Sequence, residues 1–150
     1  MPDFSESITI AASPAEVYEQ VSALSRMAEW SPECSRVSWR TADGPRVGAR
    51  FIGHNRAGAI RWFTQGEVVE AVPGSRFSFR IDFGPVPIAL WTYEFAAVSG
   101  GCTVTESWTD RRPAALRTAF GWIFGDRAER NRHGIHTTLT RLKASLEPAA

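Results

Sequence analysis

Cysteine is scarce in this chain: Cys34 and Cys102 stand alone among 150 residues. They lie far apart and show no metal-ligand spacing, so neither a zinc site nor a disulfide framework is expected, and both thiols should be reduced. A long uncharged apolar run is also missing, which argues against stable insertion in a membrane. The opening Met1-Pro2-Asp3-Phe4-Ser5-Glu6 has neither the basic region nor the apolar core of a secretory signal, and the expected location is cytoplasmic. Charge of one sign is equally lacking. A net charge of +1 gives no general attraction to nucleic acid or to anionic membranes, so no nucleic-acid partner is expected. Arg111, Arg112, Arg117, Arg127, Arg130, Arg132 and Arg141 make the last third locally basic, which reads as a solvated helix face. There is no Gly-x-Ser-x-Gly elbow, phosphate-binding glycine loop, dinucleotide fingerprint or His-Glu-x-x-His pair, so no cofactor and no metal are expected.

What is present is a strict order of periodicities. Ser5 to Ala11 alternates, with Ile8 and Ile10 on one face, and predicts a first strand. Ser13-Pro14-Ala15-Glu16 then starts a helix: Ser13 caps, Pro14 fits the first helical position, and Glu16 is placed to reach back to the cap. Val17, Val21 and Leu24 form its buried stripe, and Ser25 to Trp30 predicts a second short helix. Six strand-like runs follow, at 34–41, 48–56, 60–72, 75–83, 88–98 and 102–109. The turns between them, Asp43-Gly44-Pro45, Ala57-Gly58, Pro73-Gly74, Gly84-Pro85 and Ser99-Gly100-Gly101, are short enough to imply antiparallel neighbours.

From Pro113 to Glu147 the pattern changes. Leu116, Phe120, Ile123, Phe124, Ile135, Leu139, Leu142 and Leu146 recur every three or four residues, the mark of an amphipathic helix. A continuous helix there would run roughly 50 Å at about 1.5 Å per residue. A break is expected at Gly121 and Gly125, leaving residues 111–125 as a short helix or lid and a main helix from Asp126 to just before Pro148. Strands segregated from helices define an α+β class. The length suits one domain, 1–150, without linker or repeat.

Strand parity sorts the side chains. Trp91, Tyr93 and Phe95 share a face, as do Phe77, Phe79, Ile81 and Phe83, and Val104, Glu106 and Trp108. These faces are expected to point toward the long helix, and the alternate residues, among them Ser78, Thr92 and Ser107, toward water. The inward set, Trp30, Trp39, Phe51, Trp62, Phe79, Trp91, Tyr93 and Trp108, holds more aromatic bulk than a sheet under one helix needs. Together these rings favour an enclosed site over a solid core. Glu106 would then be an acid among rings or, if it sits near the sheet end, a wet carboxylate, since parity fixes the face and not the depth. Arg127 and Asn131 continue the helix stripe, and an Arg127–Glu106 pair across the cavity is one expected arrangement. His54 has the wrong parity for the site, and His133 and His136 lie beside the stripe.

The succession resembles the START-like (helix-grip, Bet v 1-like) superfamily, and most closely its polyketide cyclase/dehydrase-like SRPBCC branch of small bacterial proteins. The carrying segments are Ile8 to Tyr18, Ala28-Glu29-Trp30-Ser31-Pro32, Val47 to Phe51, Trp91-Thr92-Tyr93-Glu94-Phe95, Gly100 to Trp108, and Thr138 to Lys143. The usual Gly-Gly-Thr before the last strand is Gly100-Gly101-Cys102 here. The resemblance implies a seven-stranded antiparallel sheet wrapped round a long C-terminal helix, two short helices after the first strand, and an internal hydrophobic cavity.

Fold does not decide chemistry, and three functions follow as expectations. The first is binding of a small hydrophobic, cyclic ligand such as a polyketide, aromatic metabolite, lipid or sterol. Its site would comprise Trp30, Phe51, Trp62, Phe79, Trp91, Tyr93, Glu106, Trp108, Phe120, Phe124, Arg127 and Asn131. The second is a polyketide cyclase/aromatase or dehydratase-like lyase that uses Glu106 and Tyr93 as catalytic groups in the same cavity. The third is a ligand-free scaffold, in which an exposed Trp122 would mark a homodimer contact or a partner site.

Overall fold

Seven strands pair antiparallel in the order β1-β7-β6-β5-β4-β3-β2 in the computed structural model, which describes residues 2–41, 44–118 and 127–147. The strands are β1 (Phe4–Ile10), β2 (Cys34–Trp39), β3 (Arg50–Ala57), β4 (Ile60–Val72), β5 (Arg76–Phe83), β6 (Val86–Val98) and β7 (Gly101–Asp110). Only the β1 to β2 passage crosses the sheet, and it carries helix α1 (Pro14–Ser22) and a 3-10 helix, Leu24–Glu29. The long helix α2 spans Arg127–Leu146, and a short helical segment lies at 114–118. The α+β helix-grip architecture is therefore as the sequence implies. The expected break at Gly121 and Gly125 falls outside the described residues, as do Phe120, Trp122 and Phe124.

Local chemistry explains the helix starts and seats. Ser13 caps α1: its Oγ accepts from the Glu16 backbone N–H at 3.2 Å and donates to the Glu16 carboxylate at 3.1 Å. Glu16 thus returns to the cap hydroxyl rather than to its backbone N–H. Tyr18 then meets Phe77 and Phe95 edge-on at 6.0 and 5.7 Å, which fixes α1 on the inner face of β5 and β6. Ile135, Leu139 and Leu142, all fully buried, seat α2 over β1 and β7. Lys143 donates to the Thr9 carbonyl at 2.7 Å and fastens the far end of α2 to β1.

Cross-strand register arranges the inward face in rows. One row runs Val68, Phe79, Trp91, Trp108, Phe4; the next runs Ala71, Phe77, Tyr93, Glu106, Glu6. The outer face corrects the expectation of a wet polar surface, because Ser78, Thr92 and Ser107 are buried. They form a row of hydroxyls with Ser5, bonded Ser5 to Ser107 at 2.8 Å and Ser78 to Thr92 at 3.0 Å. Each is short, and its same-face neighbours two residues away, such as Arg76, Arg80 and Glu94, are long enough to cover it.

Candidate functional site

Between the sheet and α2 lies a cavity of about 340 Å³. Small residues make the room: Gly53, Thr64 and Ala89 from the sheet and Gly134 from the helix stand in its wall. The Phe51 ring lies so close over Gly66 that a Cβ there would sit 2.1 Å from its Cζ. Phe51 in turn meets Trp39 and Phe79 edge-on at 5.8 and 5.5 Å. Trp91 and Trp108, paired across β6 and β7, face each other at 6.5 Å.

Phe51, Trp62, Phe79, Trp91, Tyr93, Glu106, Trp108, Arg127 and Asn131 all line this cavity. Trp30 does not, which corrects its expected place. It is buried beside the wall, where the chain turns out of the 3-10 helix, with the Arg26 guanidinium 5.4 Å from its ring centre. His54 bonds Arg36 on the outer face, and His136 bonds Glu6 at 2.9 Å outside the cavity.

Glu106 is the polar centre of the wall. It is 3% exposed, and its Oε2 accepts the Tyr93 hydroxyl at 2.8 Å, whereas its Oε1 has no hydrogen-bond partner among the described residues. Burial pushes its carboxyl up to about 8; the Tyr93 bond opposes the rise and the neighbouring Glu6 carboxylate adds to it. At pH 7 Glu106 is therefore chiefly a neutral acid, able to donate a hydrogen bond to a ligand oxygen. Burial, followed by the Glu106 charge, drives Tyr93 well above its ordinary range, so Tyr93 stays a neutral phenol. Cys34 also lines the cavity, but burial raises its thiol to about 11, which leaves it unreactive.

Arg127 does not pair with Glu106. Its guanidinium donates to Glu33 and lies 6.0 Å from the Trp62 ring centre, with its Nε left without an acceptor among the described residues. Pairing at the rim avoids burying two charges beside the Trp91 and Trp108 rings. Arg112, also in the wall, makes a bidentate bond to Asp110 at 2.9 and 2.7 Å with both side chains nearly buried. Burial pushes the Asp110 carboxyl up, but the Arg112 bonds outweigh it and hold the group below its ordinary value.

Sequence reasoning missed Asn55, Thr64, Thr138, Arg112 and Arg130 as wall residues. Signals existed for four of them. Asn55 has the parity of Phe51, Thr64 that of Trp62, and Arg130 and Thr138 fall on the stripe 127, 130, 131, 134, 138 of α2. Arg112, beyond the last strand, had none.

A seven-stranded antiparallel sheet gripping a C-terminal helix around an apolar cavity defines a helix-grip protein. The chain belongs to the polyketide cyclase / dehydrase and lipid transport family, whose model matches residues 1–147. It is similar to the Polyketide_cyc-like protein Cgl2372 of Corynebacterium glutamicum, at 33% identity and a TM-score of 0.59 over 96% of this chain and 93% of that one. Protein CV1439 of Chromobacterium violaceum is 21% identical, with a TM-score of 0.75 over 99% and 100% of the two chains. The di-domain ARO/CYC StfQ from the steffimycin biosynthetic pathway has a TM-score of 0.76 at 14% identity, over 95% of this chain and 49% of that one. No curated protein matches the chain.

Proposed function

We propose that residues 1–150 act as one domain that binds a small hydrophobic, ring-bearing molecule in the cavity, with Glu106 and Tyr93 orienting an oxygen of the ligand. The observation that carries this reading is the Glu106 Oε1: a buried polar atom without a partner among the described residues, in a wall of aromatic side chains. An unsatisfied buried group costs roughly 1–3 kcal/mol, and a ligand oxygen would remove that cost. The rings supply most of the affinity, because burial of apolar area on both partners drives association. A closed scaffold would have a core without a substantial void, and the cavity speaks against it.

A second reading has its own support. An acid raised to about 8 beside a phenol matches what a dehydration or cyclisation needs, since it can protonate a departing hydroxyl and later accept a proton near neutral pH. The likeness to StfQ shows the fold alone and does not choose between the two.

The test is calorimetric titration of the delipidated protein and of Glu106→Gln with a panel of polyketide-like phenols, sterols and fatty acids, alongside a product assay. Binding by the wild type that weakens in the variant, with no product formed, is the expected result. If Glu106→Gln keeps the affinity but loses a turnover the wild type shows, the protein is an enzyme. Absence of binding to every member would refute the reading.

A further inference from the structure

The binding reading leaves open what chemistry the ligand carries at its outer end, and the charges around the cavity mouth bear on that. Arg130 and Phe83 both line the cavity and are exposed, so the opening lies between the end of β5 and the first turn of α2. Three guanidiniums stand in the wall: Arg112, Arg127 and Arg130. Two are already compensated, Arg112 by Asp110 and Arg127 by Glu33. Arg130 makes no ion pair among the described residues, and the Arg127 Nε–H has no acceptor there. Arg117, outside the wall, reaches Asp110 at 3.6 Å and adds positive charge nearby. The inner end differs in kind, with a neutral acid and a phenol.

Resting on the binding reading above, we propose that the ligand is an amphipathic monoacid, held with its apolar body in the cavity and its carboxylate at the mouth on Arg130 and Arg127. One guanidinium in the wall, Arg130, is uncompensated among the described residues and calls for one negative charge, which favours a carboxylate over a phosphate monoester. A planar carboxylate offers two acceptors, one for the Arg130 fork and one for the Arg127 Nε–H. The reverse orientation would bury an anion against the Trp91 and Trp108 rings, beside Glu106 and with the Arg112 guanidinium already taken by Asp110, at a heavy desolvation cost. Charge at the mouth and a neutral donor within therefore set the direction of entry.

The experiment compares 6-hydroxy-2-naphthoic acid, its methyl ester and the matching naphthyl phosphate by calorimetry, with dodecanoic acid and dodecanol as a second pair. The acid of each pair is expected to bind about fivefold more tightly than its neutral partner, the order expected of a charge-assisted bond at a mouth where Arg130 is exposed. Arg130→Gln should bring acid and ester together, and salt should narrow the wild-type gap. Equal binding of acid and neutral partner, or a preference that survives Arg130→Gln, would overturn this proposal and leave the cavity reading standing. Tighter binding of the phosphate would replace the carboxylate. No binding by any of the five compounds would overturn the monoacid proposal, and the wider panel of phenols, sterols and fatty acids then decides the binding reading by itself.

Discussion

Replacing Glu106 by Gln removes one titrating group from the centre of the sheet, and the consequence for stability can be worked out. The folded carboxyl ionises at about 8 against an ordinary value of 4.5. Below the lower value both folded and unfolded chains hold the proton, and this group contributes no pH dependence. Between the two values the unfolded chain releases the proton while the folded chain keeps it, so wild-type stability falls as pH rises. At 1.36 kcal/mol per unit, the loss is about 3 kcal/mol at pH 7 and roughly 4 kcal/mol at pH 8. Tyr93, Glu6 and every other titrating group are common to both proteins, so the difference between wild type and Glu106→Gln isolates the one carboxyl. Urea unfolding of the ligand-free proteins at pH 5, 6, 7 and 8 measures it, and thermal midpoints should diverge by roughly 10 °C across that range. The wild type is expected to lose stability relative to the variant at each step. Parallel curves from pH 5 to pH 8 would mean that Glu106 ionises near its ordinary value, and that water reaches this end of the cavity.

Tyr93→Phe removes the hydroxyl that favours the charged carboxylate, so the Glu106 titration should move above about 8, as read by carbon NMR of the labelled side chain. Gly66→Ala would place a methyl 2.1 Å from the Phe51 ring; displacement of that ring should cost about 1–3 kcal/mol in urea unfolding and shrink the cavity. Ser13→Ala deletes the α1 cap and should cost about 1 kcal/mol, with Ser13→Asp retaining most of it.

Much of the architecture is legible in the sequence because it rests on short-range chemistry. Strand alternation, the glycine turns, and the Ser13-Pro14 start each declare themselves within a few residues, and the strand boundaries fall within one residue of the pattern except at the end of β2 and the starts of β3 and β6, where they differ by two. Parity likewise put Glu106 on the inner face with Val104 and Trp108. Depth is another matter. Glu106 is buried because Tyr93 stands opposite it and α2 lies over β7, a tertiary fact that period two does not contain. Trp30 failed for the related reason that it follows a 3-10 turn, where no period fixes a direction. Arg127 found Glu33, a residue in a connection before β2 with no pattern to mark it. The buried hydroxyl row misled in the opposite sense: polarity alone does not report that longer neighbours cover a serine.

The two ends of the cavity share one cause. The stripe 127, 130, 131, 134, 138 of α2 supplies cations at the mouth, a glycine that leaves space beside Pro32, and Thr138 at the inner wall. The adjoining Ile135, Leu139 and Leu142 hold that stripe at a fixed depth against the sheet. Helical spacing ties the rim to the interior, because residues three and four apart cannot shift independently. Any change that moves α2 outward would therefore admit water beside Glu106, lower its proton affinity and withdraw Arg127 and Arg130 from the mouth in a single motion. The neutral acid within and the Arg130 cation at the mouth, unpaired among the described residues, are thus not two separate features of the wall. Both depend on how deeply one helix is seated, and the apolar contacts of its C-terminal half are what set the chemistry of its N-terminal half.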